Sequence, residues 1–234
     1  MSMEEKGRPR LSVVVVAICG SRYLHRCLES LTNQLNPPAF ETIVVLDGRL
    51  NGEGITAWEQ RGVKVYRQII ARTPEELASV GIKKARGEII ALTEDHCIPD
   101  LHWCRNLVSA HASPCAALGG AVEIVSKDPV SWAFSFCDYY RFMSPVERGL
   151  ARFLTVCNVS YKRETLEIIS EVWMDHFHEV WVHEEIKKMG KKLQLTPQLF
   201  VRQEREMSLK SAIRERFSFG RLFGVRRATN VGRK

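Results

Sequence analysis

Long apolar runs are missing from this chain. The longest, residues 11–19, has nine positions with Ser12 among them, far short of the roughly 20 that span a bilayer, so no transmembrane helix is expected. The first ten residues mix charges of both signs and carry neither the apolar segment nor the cleavage site of a signal peptide. A cytoplasmic location is therefore the expectation. Low-complexity tracts, internal repeats and long linkers are also absent, and the composition excludes disorder, collagen and coiled coil. The seven cysteines are an odd number scattered through apolar segments, without a Cys-x-x-Cys pair. That spacing argues for reduced structural thiols. It argues against a disulfide framework, and against structural zinc held by His96, Cys97, His102, Cys104, His111 and Cys115.

What is present is a globular composition, 45% hydrophobic and 26% charged over 234 residues, enough for one large or two small domains. The net charge of +7 is unevenly placed: residues 202–234 hold ten Lys or Arg against three Glu, and the preceding 201 residues balance at 24 against 24. Basicity belongs to the tail, so an anionic partner is sought there.

The apolar period alternates between strand and helix. Strands are expected at residues 11–17, 41–47, 63–69 and 88–93. A helix capped by Ser21 carries Leu24, Cys27, Leu28, Leu31 and Leu35 on one face, and another over residues 74–86 has Pro74 in its first turn and Gly87 at its end. Beyond residue 115 a strand (116–125), an aromatic helix (132–142), a strand (154–160) and helices at 163–172 and 179–189 follow. Two short extended pieces (192–196 and 199–203) and a basic helix from about Ser208 complete the chain. The aromatic helix holds six of the 20 aromatic residues, Trp132, Phe134, Phe136, Tyr139, Tyr140 and Phe142, and such a stripe reads as core. The fold class is α/β, a mostly parallel central sheet flanked by helices.

In an open parallel sheet, ligands lie beyond the carboxyl ends of the strands. The residues leaving the first, second and fourth strands are Ala17-Ile18-Cys19-Gly20, Asp47-Gly48-Arg49 and Glu94-Asp95-His96. Acids gathered there repel one another unless a cation or a hydroxyl-rich ligand compensates them. Glu94 and His96 project to the same side if the strand continues, and carboxylate plus imidazole suits Mn²⁺ or Mg²⁺, with imidazole favouring manganese. The plain alternative is a solvated strand-end turn.

Three stretches resemble the family 2 glycosyltransferases of the GT-A type fold: residues 12–31 with Cys27-Leu28-Glu29-Ser30-Leu31, residues 43–48 ending in Asp47-Gly48, and Ala85-Arg86-Gly87-Glu88 leading into Glu94-Asp95-His96. The resemblance covers most of residues 11–225. It implies a catalytic domain over 11–205, with a nucleotide-binding half (11–115) and an acceptor half (116–205), followed by a basic helix and tail (206–234). It further implies an inverting transfer of sugar from a nucleotide-diphosphate donor to a hydroxyl acceptor, a sugar or glycolipid. Donor contacts fall on Ala17, Cys19, Asp47, Gly48, Glu94, Asp95, Arg216 and Arg221, with Asp47 orienting the nucleoside and Asp95 touching ribose or donor sugar. Glu94 and His96 hold Mn²⁺ or Mg²⁺, and Glu179, following His178, is the base. Asn158 to Arg163 resemble the element bordering the acceptor.

Leu46, Ala78 and His96, at positions where the family carries other residues, suggest a second possibility, a catalytically weak nucleotide-sugar-binding relative. A nucleotidyltransferase on a similar sheet is a third. The tail, with Ile213, Phe217, Leu222, Phe223 and Val225 beside its cations, suits the donor diphosphate, a peripheral contact with the inner face of a membrane, or a plain packed helix. Nucleic acid is the least expected partner.

Overall fold

An unbroken apolar run becomes a strand covered on both faces, and Leu11–Ala17 is buried along its whole length as strand β1 of a nine-stranded sheet. The protein is seen here in a computed structural model that describes residues 7–70 and 72–231. Strand β2 (Phe40–Leu46) follows helix α1 (Ser21–Thr32), and helices α2 (Ile55–Glu59) and α3 (Pro74–Lys84) flank strand β3 (Lys64–Arg67). Strand β4 (Ile89–Glu94) closes a parallel half in the order β3-β2-β1-β4.

Alternate residues of β1 serve opposite faces, as the period of two requires. Val13, Val15 and Ala17 pack with Leu24, Cys27, Leu28 and Leu31 of α1. Val14 and Val16 pack with Leu77, Ala78 and Ile82 of α3. The start of α3 is fixed by a reciprocal cap: Thr73 Oγ1 accepts the Glu76 N–H (3.3 Å) while Glu76 Oε2 accepts the Thr73 N–H (2.8 Å). A Cβ on Gly81 would lie 2.2 Å from Val14 Cγ1. Gly81→Ala is therefore expected to cost about 1–3 kcal/mol through overpacking, and an unchanged urea midpoint would contradict that close approach.

The second half comprises β5 (Cys97–Pro99), α4 (Trp103–Ala110), β6 (Ala117–Ile124), α5 (Pro129–Tyr139) and β7 (Gly149–Ala151). A 3₁₀ turn (Val156–Asn158) leads into β8 (Val159–Lys162), then α6 (Arg163–Ile168), α7 (Ser170–Trp173), α8 (Glu179–Lys188), β9 (Leu193–Gln203) and α9 (Leu209–Val231). β8 lies antiparallel between β4 and β6, so one sheet runs through both halves. The sheet is mostly parallel, with antiparallel pairs at β4–β8, β6–β8, β5–β9 and β7–β9. Asn158 ties the second half together: its Oδ1 accepts the Trp103 Nε1–H, and its Nδ2 donates to the carbonyls of Ala121 and Leu199, all at 3.0 Å. Among the described residues no helix is long and apolar enough to cross a membrane.

Several sequence expectations are corrected. Ser21 is the first residue of α1 rather than its cap; Gly20 holds the cap position, without a side-chain bond. The strand expected at 154–160 begins only at Val159, because the preceding residues form the 3₁₀ turn. The two pieces at 192–203 are one strand, β9, whose pairing with β6 shifts register between Gly119 and Ala121. The aromatic helix is only partly core: Phe142 is buried, whereas Trp132, Phe136 and Tyr140 stay exposed.

Candidate active site

The exit of β4 is built around Asp95. Its Oδ2 accepts the backbone N–H groups of Ile18 (2.9 Å), Cys19 (2.7 Å) and Gly20 (3.2 Å), wrapping the β1–α1 turn round a carboxylate. Gly20 adopts φ +116° there, a region that favours glycine. The other oxygen lies 3.3 Å from His96 Nδ1, which is also 3.4 Å from Cys19 Sγ. Asp95 is wholly enclosed, and this corrects the expectation that it touches ribose or donor sugar: its lone pairs hold the loop.

The strand-end parity also differs from the expectation. Ala17 packs into the core under α1 and Cys19 turns its sulfur to His96, so the cleft is lined instead by Val16 and Ile18. Asp47 does not reach the cleft either. Its Oδ1 accepts the Arg49 N–H (2.8 Å) and Nε–H (2.7 Å), and its Oδ2 accepts Arg49 Nη2 (3.2 Å) and the Arg72 N–H (2.9 Å). Burial would raise its pKa, but the Arg49 side chain and the backbone N–H groups of Arg72 and Arg49 outweigh burial and hold it below the usual range. Arg49 and Arg72 face the cleft in its place. Gly48 has a packing role, since a Cβ there would meet the Ile70 carbonyl at 2.6 Å.

The cleft itself has a volume of about 1050 Å³ and joins the two halves. Arg49, Arg72, Glu75 and Glu94 line it from the first half. Asp138, Glu179 and Arg205 come from the second, and Lys210, Arg214, Glu215 and Arg216 from α9, which lies along it. Acids and bases of this number in one hollow suit a ligand with both anionic and hydroxyl-rich parts.

Glu179 opens α8. Burial first, then the neighbouring Glu75, Glu94 and Asp138, raise its pKa to about 7 against the lowering effect of its own backbone N–H. Glu94 is likewise raised by burial, opposed by His96 and Arg205. For His96 burial disfavours the charged form, yet Cys19, Asp95 and Glu94 around it push the pKa well above the usual histidine range. Arg205 is gripped by Glu215 through two bonds of 3.0 and 2.6 Å. Burial opposes its charge, but Cys19, Glu215 and Glu94 raise its pKa further. Arg216 donates to the two oxygens of Asp138 through its terminal nitrogens Nη1 and Nη2, the latter at 2.7 Å.

Among the described residues, two groups bring potential metal-ligating atoms within reach of one ion: Cys19, Asp95 and His96, and Glu94, His96 and Cys97. His96 Nε2 is buried without a hydrogen-bond partner and lies 3.3 Å from Glu94 Oε2. Two neighbouring ligands of an octahedral ion, each at about 2.1 Å, stand roughly 3 Å apart, so this pair fits a small divalent cation. Glu94 lines the cleft and His96 lies behind it.

Of the sequence candidates, Glu94, Glu179 and Arg216 meet in the cleft, backed by His96. Arg221 does not line it; its guanidinium sits 5.9 Å from the Phe217 ring. The acceptor-side element is also corrected: Asn158 is enclosed, and Arg163 bonds the Gly87 carbonyl (2.6 Å) at the opposite end of β4. Sequence reasoning placed Arg49 at a strand exit without giving it a role, and missed Arg72, Glu75, Asp138, Arg205 and Glu215. Of these five, Asp138 left a local signal as the one acid among residues 132–142.

A family model described as Glycosyl transferase family 2 matches residues 12–169. No curated protein sequence matches the chain. Among solved structures, the mannosyltransferase PcManGT from Pyrobaculum calidifontis, in complex with GDP-Man and Mn²⁺, is similar at 18% identity and TM-score 0.63, over 86% of this chain and 59% of that one. GalNAc-T7 with UDP, GalNAc and Mn²⁺ matches at 15% identity and TM-score 0.66, over 87% and 45%. TarS residues 1–349 of S. aureus in complex with UDP-GlcNAc match at 14% identity and TM-score 0.63, over 85% and 59%. The chain thus spans about half the length of each, and at these identities the likeness is one of fold.

Proposed function

Since the chain belongs to glycosyl transferase family 2 and has the GT-A fold, we propose that it moves a sugar from a nucleotide-diphosphate donor to a hydroxyl acceptor, a sugar or glycolipid, with inversion at the anomeric carbon. The observation that carries this reading is Glu179: a carboxylate with a pKa near 7 ends in the same cleft as Glu94 from the other half of the chain. A base at that pKa is half ready at neutral pH and still basic enough to take a hydroxyl proton. The acceptor then attacks from the face opposite the departing diphosphate, and one displacement inverts configuration.

Departure of the nucleoside diphosphate builds negative charge. Arg205, kept cationic by its acidic neighbours, and Arg216 stand at the cleft to receive it. Glu94 and His96 would hold Mn²⁺ or Mg²⁺, which when bound supplies further neutralisation of the leaving group. Asp95 acts on this site indirectly by fixing the turn behind His96, and Asp47 by aiming Arg49.

Isothermal titration of a donor panel with and without Mn²⁺ tests the metal pair. His96→Ala is expected to weaken Mn²⁺-dependent donor binding by about ten-fold or more, and equal Mn²⁺-dependent affinity in wild type and variant would refute the assignment. The products separate related chemistries, since release of nucleoside diphosphate marks sugar transfer and pyrophosphate marks nucleotidyl transfer. A binding protein of low activity remains the second reading, favoured by the engagement of Asp47 and Asp95 with their own chain. It requires donor affinity without turnover for any acceptor.

A further inference from the structure

Trp132 and Phe136 on α5 and Tyr140 at its C-terminal cap follow one another every fourth residue, with ring centroids 5.2 and 5.9 Å apart. Leu209, Ile213 and Phe217 repeat the spacing on α9. Each of these six side chains keeps between 41 and 66% of its surface exposed, and exposed apolar side chains in such a series mark an interaction surface.

The two helices run side by side in the same direction. The Met207 N–H meets Ser131 Oγ (2.9 Å) at one end, and Arg216 meets Asp138 further on. Asp138 on α5, and Arg214 and Glu215 on α9, turn to the cleft. At about 100° per residue, both apolar stripes emerge on the side away from it, forming one outer face. Cations border that face: Arg141 lies 5.2 Å from the Tyr140 ring and Arg221 5.9 Å from the Phe217 ring.

Charge decides what covers it. The acids of the two helices, Asp138 and Glu215, turn to the cleft and pair with Arg216 and Arg205, while Arg141 and Arg221 border the outer face. A second copy docked through this face would set cation against cation, whereas an anionic lipid surface offers the opposite sign. Trp and Tyr favour the headgroup level, the aliphatic and phenyl groups favour the acyl boundary, and flanking Arg can reach phosphates. We infer that the outer face of α5 and α9 lies on an anionic membrane surface, with the cleft on the opposite side of the two helices. This goes beyond the transfer reaction, and vesicle binding needs no turnover, so it stands or falls separately.

The test uses the full chain with phosphatidylcholine vesicles, with and without phosphatidylglycerol. Binding is expected only to the anionic vesicles, weakening as salt rises. Bromine-labelled acyl chains should quench wild-type fluorescence and lose most of that quenching in Trp132→Tyr, because Trp58, Trp103 and Trp173 are buried and the half-buried Trp181 sits on α8, outside the proposed face. The combined variant Phe136→Ser, Ile213→Ser, Phe217→Ser should partition at least about ten-fold more weakly while retaining turnover of a water-soluble acceptor. Failure of the wild type to bind anionic vesicles would overturn the inference. So would quenching indifferent to Trp132→Tyr, or a concentration-dependent dimer dispersed by the same serine substitutions.

Discussion

Glu179→Gln lowers kcat by about 10²–10⁴-fold, the usual contribution of a positioned base, while donor affinity measured by titration stays close to wild type. Glutamine keeps the shape and the place at the head of α8 but cannot take a proton. The pH profile carries the same prediction with a sign. Burial and the neighbouring acids raise the Glu179 pKa to about 7, so the proton-accepting form is lost as pH falls through that value. Wild-type kcat/KM should therefore climb with pH and level off above about 7, and the residual activity of Glu179→Gln should lack that limb. Glu75→Gln removes one nearby negative charge that helps raise the pKa, so the limb should move to lower pH. Equal profiles in wild type and Glu179→Gln would remove Glu179 from the reaction.

The second large effect concerns a residue enclosed behind the cleft. Asp95→Ala leaves three backbone N–H groups at Ile18, Cys19 and Gly20 without their acceptor and deprives His96 of a carboxylate at 3.3 Å. An unpaired donor costs about 1–3 kcal/mol when buried, less at the half-buried Ile18, Cys19 and Gly20, and loss of one partner of a buried charged arrangement costs about 3–5 kcal/mol. The effects overlap, so a loss of about 3–5 kcal/mol in urea unfolding is expected. Asp95→Asn, which keeps one acceptor oxygen, should lose less. Near-wild-type stability of Asp95→Ala would show that the turn is held by something else.

The parts of this molecule that could be read in the sequence are those fixed by local rules. Leu11–Ala17 is legible because a strand buried on both faces must be apolar throughout, and α3 because Pro74 marks its first turn and Gly87 follows its end. What escaped depended on distant partners. The three-residue strand β5 exists because β9 pairs with it, and Pro197, which falls where β9 shifts register against β6, made one strand look like two.

The site divides in the same way. Glu94 and His96 were legible as polar residues leaving a buried strand, and Glu179 through the family resemblance: Glu94 closes β4, His96 sits in the turn after it, and Glu179 opens α8. Val16 and Ile18 were missed in favour of Ala17 and Cys19 because a shift of one residue along an extended segment reverses the face. Asp47 and Asp95 were read as ligand contacts because nothing local discloses that Arg49, Arg72 and the β1–α1 turn engage them. Asp138 on α5 and Arg205 ahead of α9 are held at the cleft by Arg216 and Glu215 of α9, and the Arg216–Asp138 pair joins residues far apart in the chain.

The central claim is a single displacement assisted by Glu179, and the anomeric configuration of the first-formed product tests it most directly. With a donor of known configuration that supports turnover, proton magnetic resonance of the product taken before any mutarotation should show the inverted anomer. A first product that retains the donor's configuration would contradict the account, because it requires a second displacement in which Glu179 as sole base has no place.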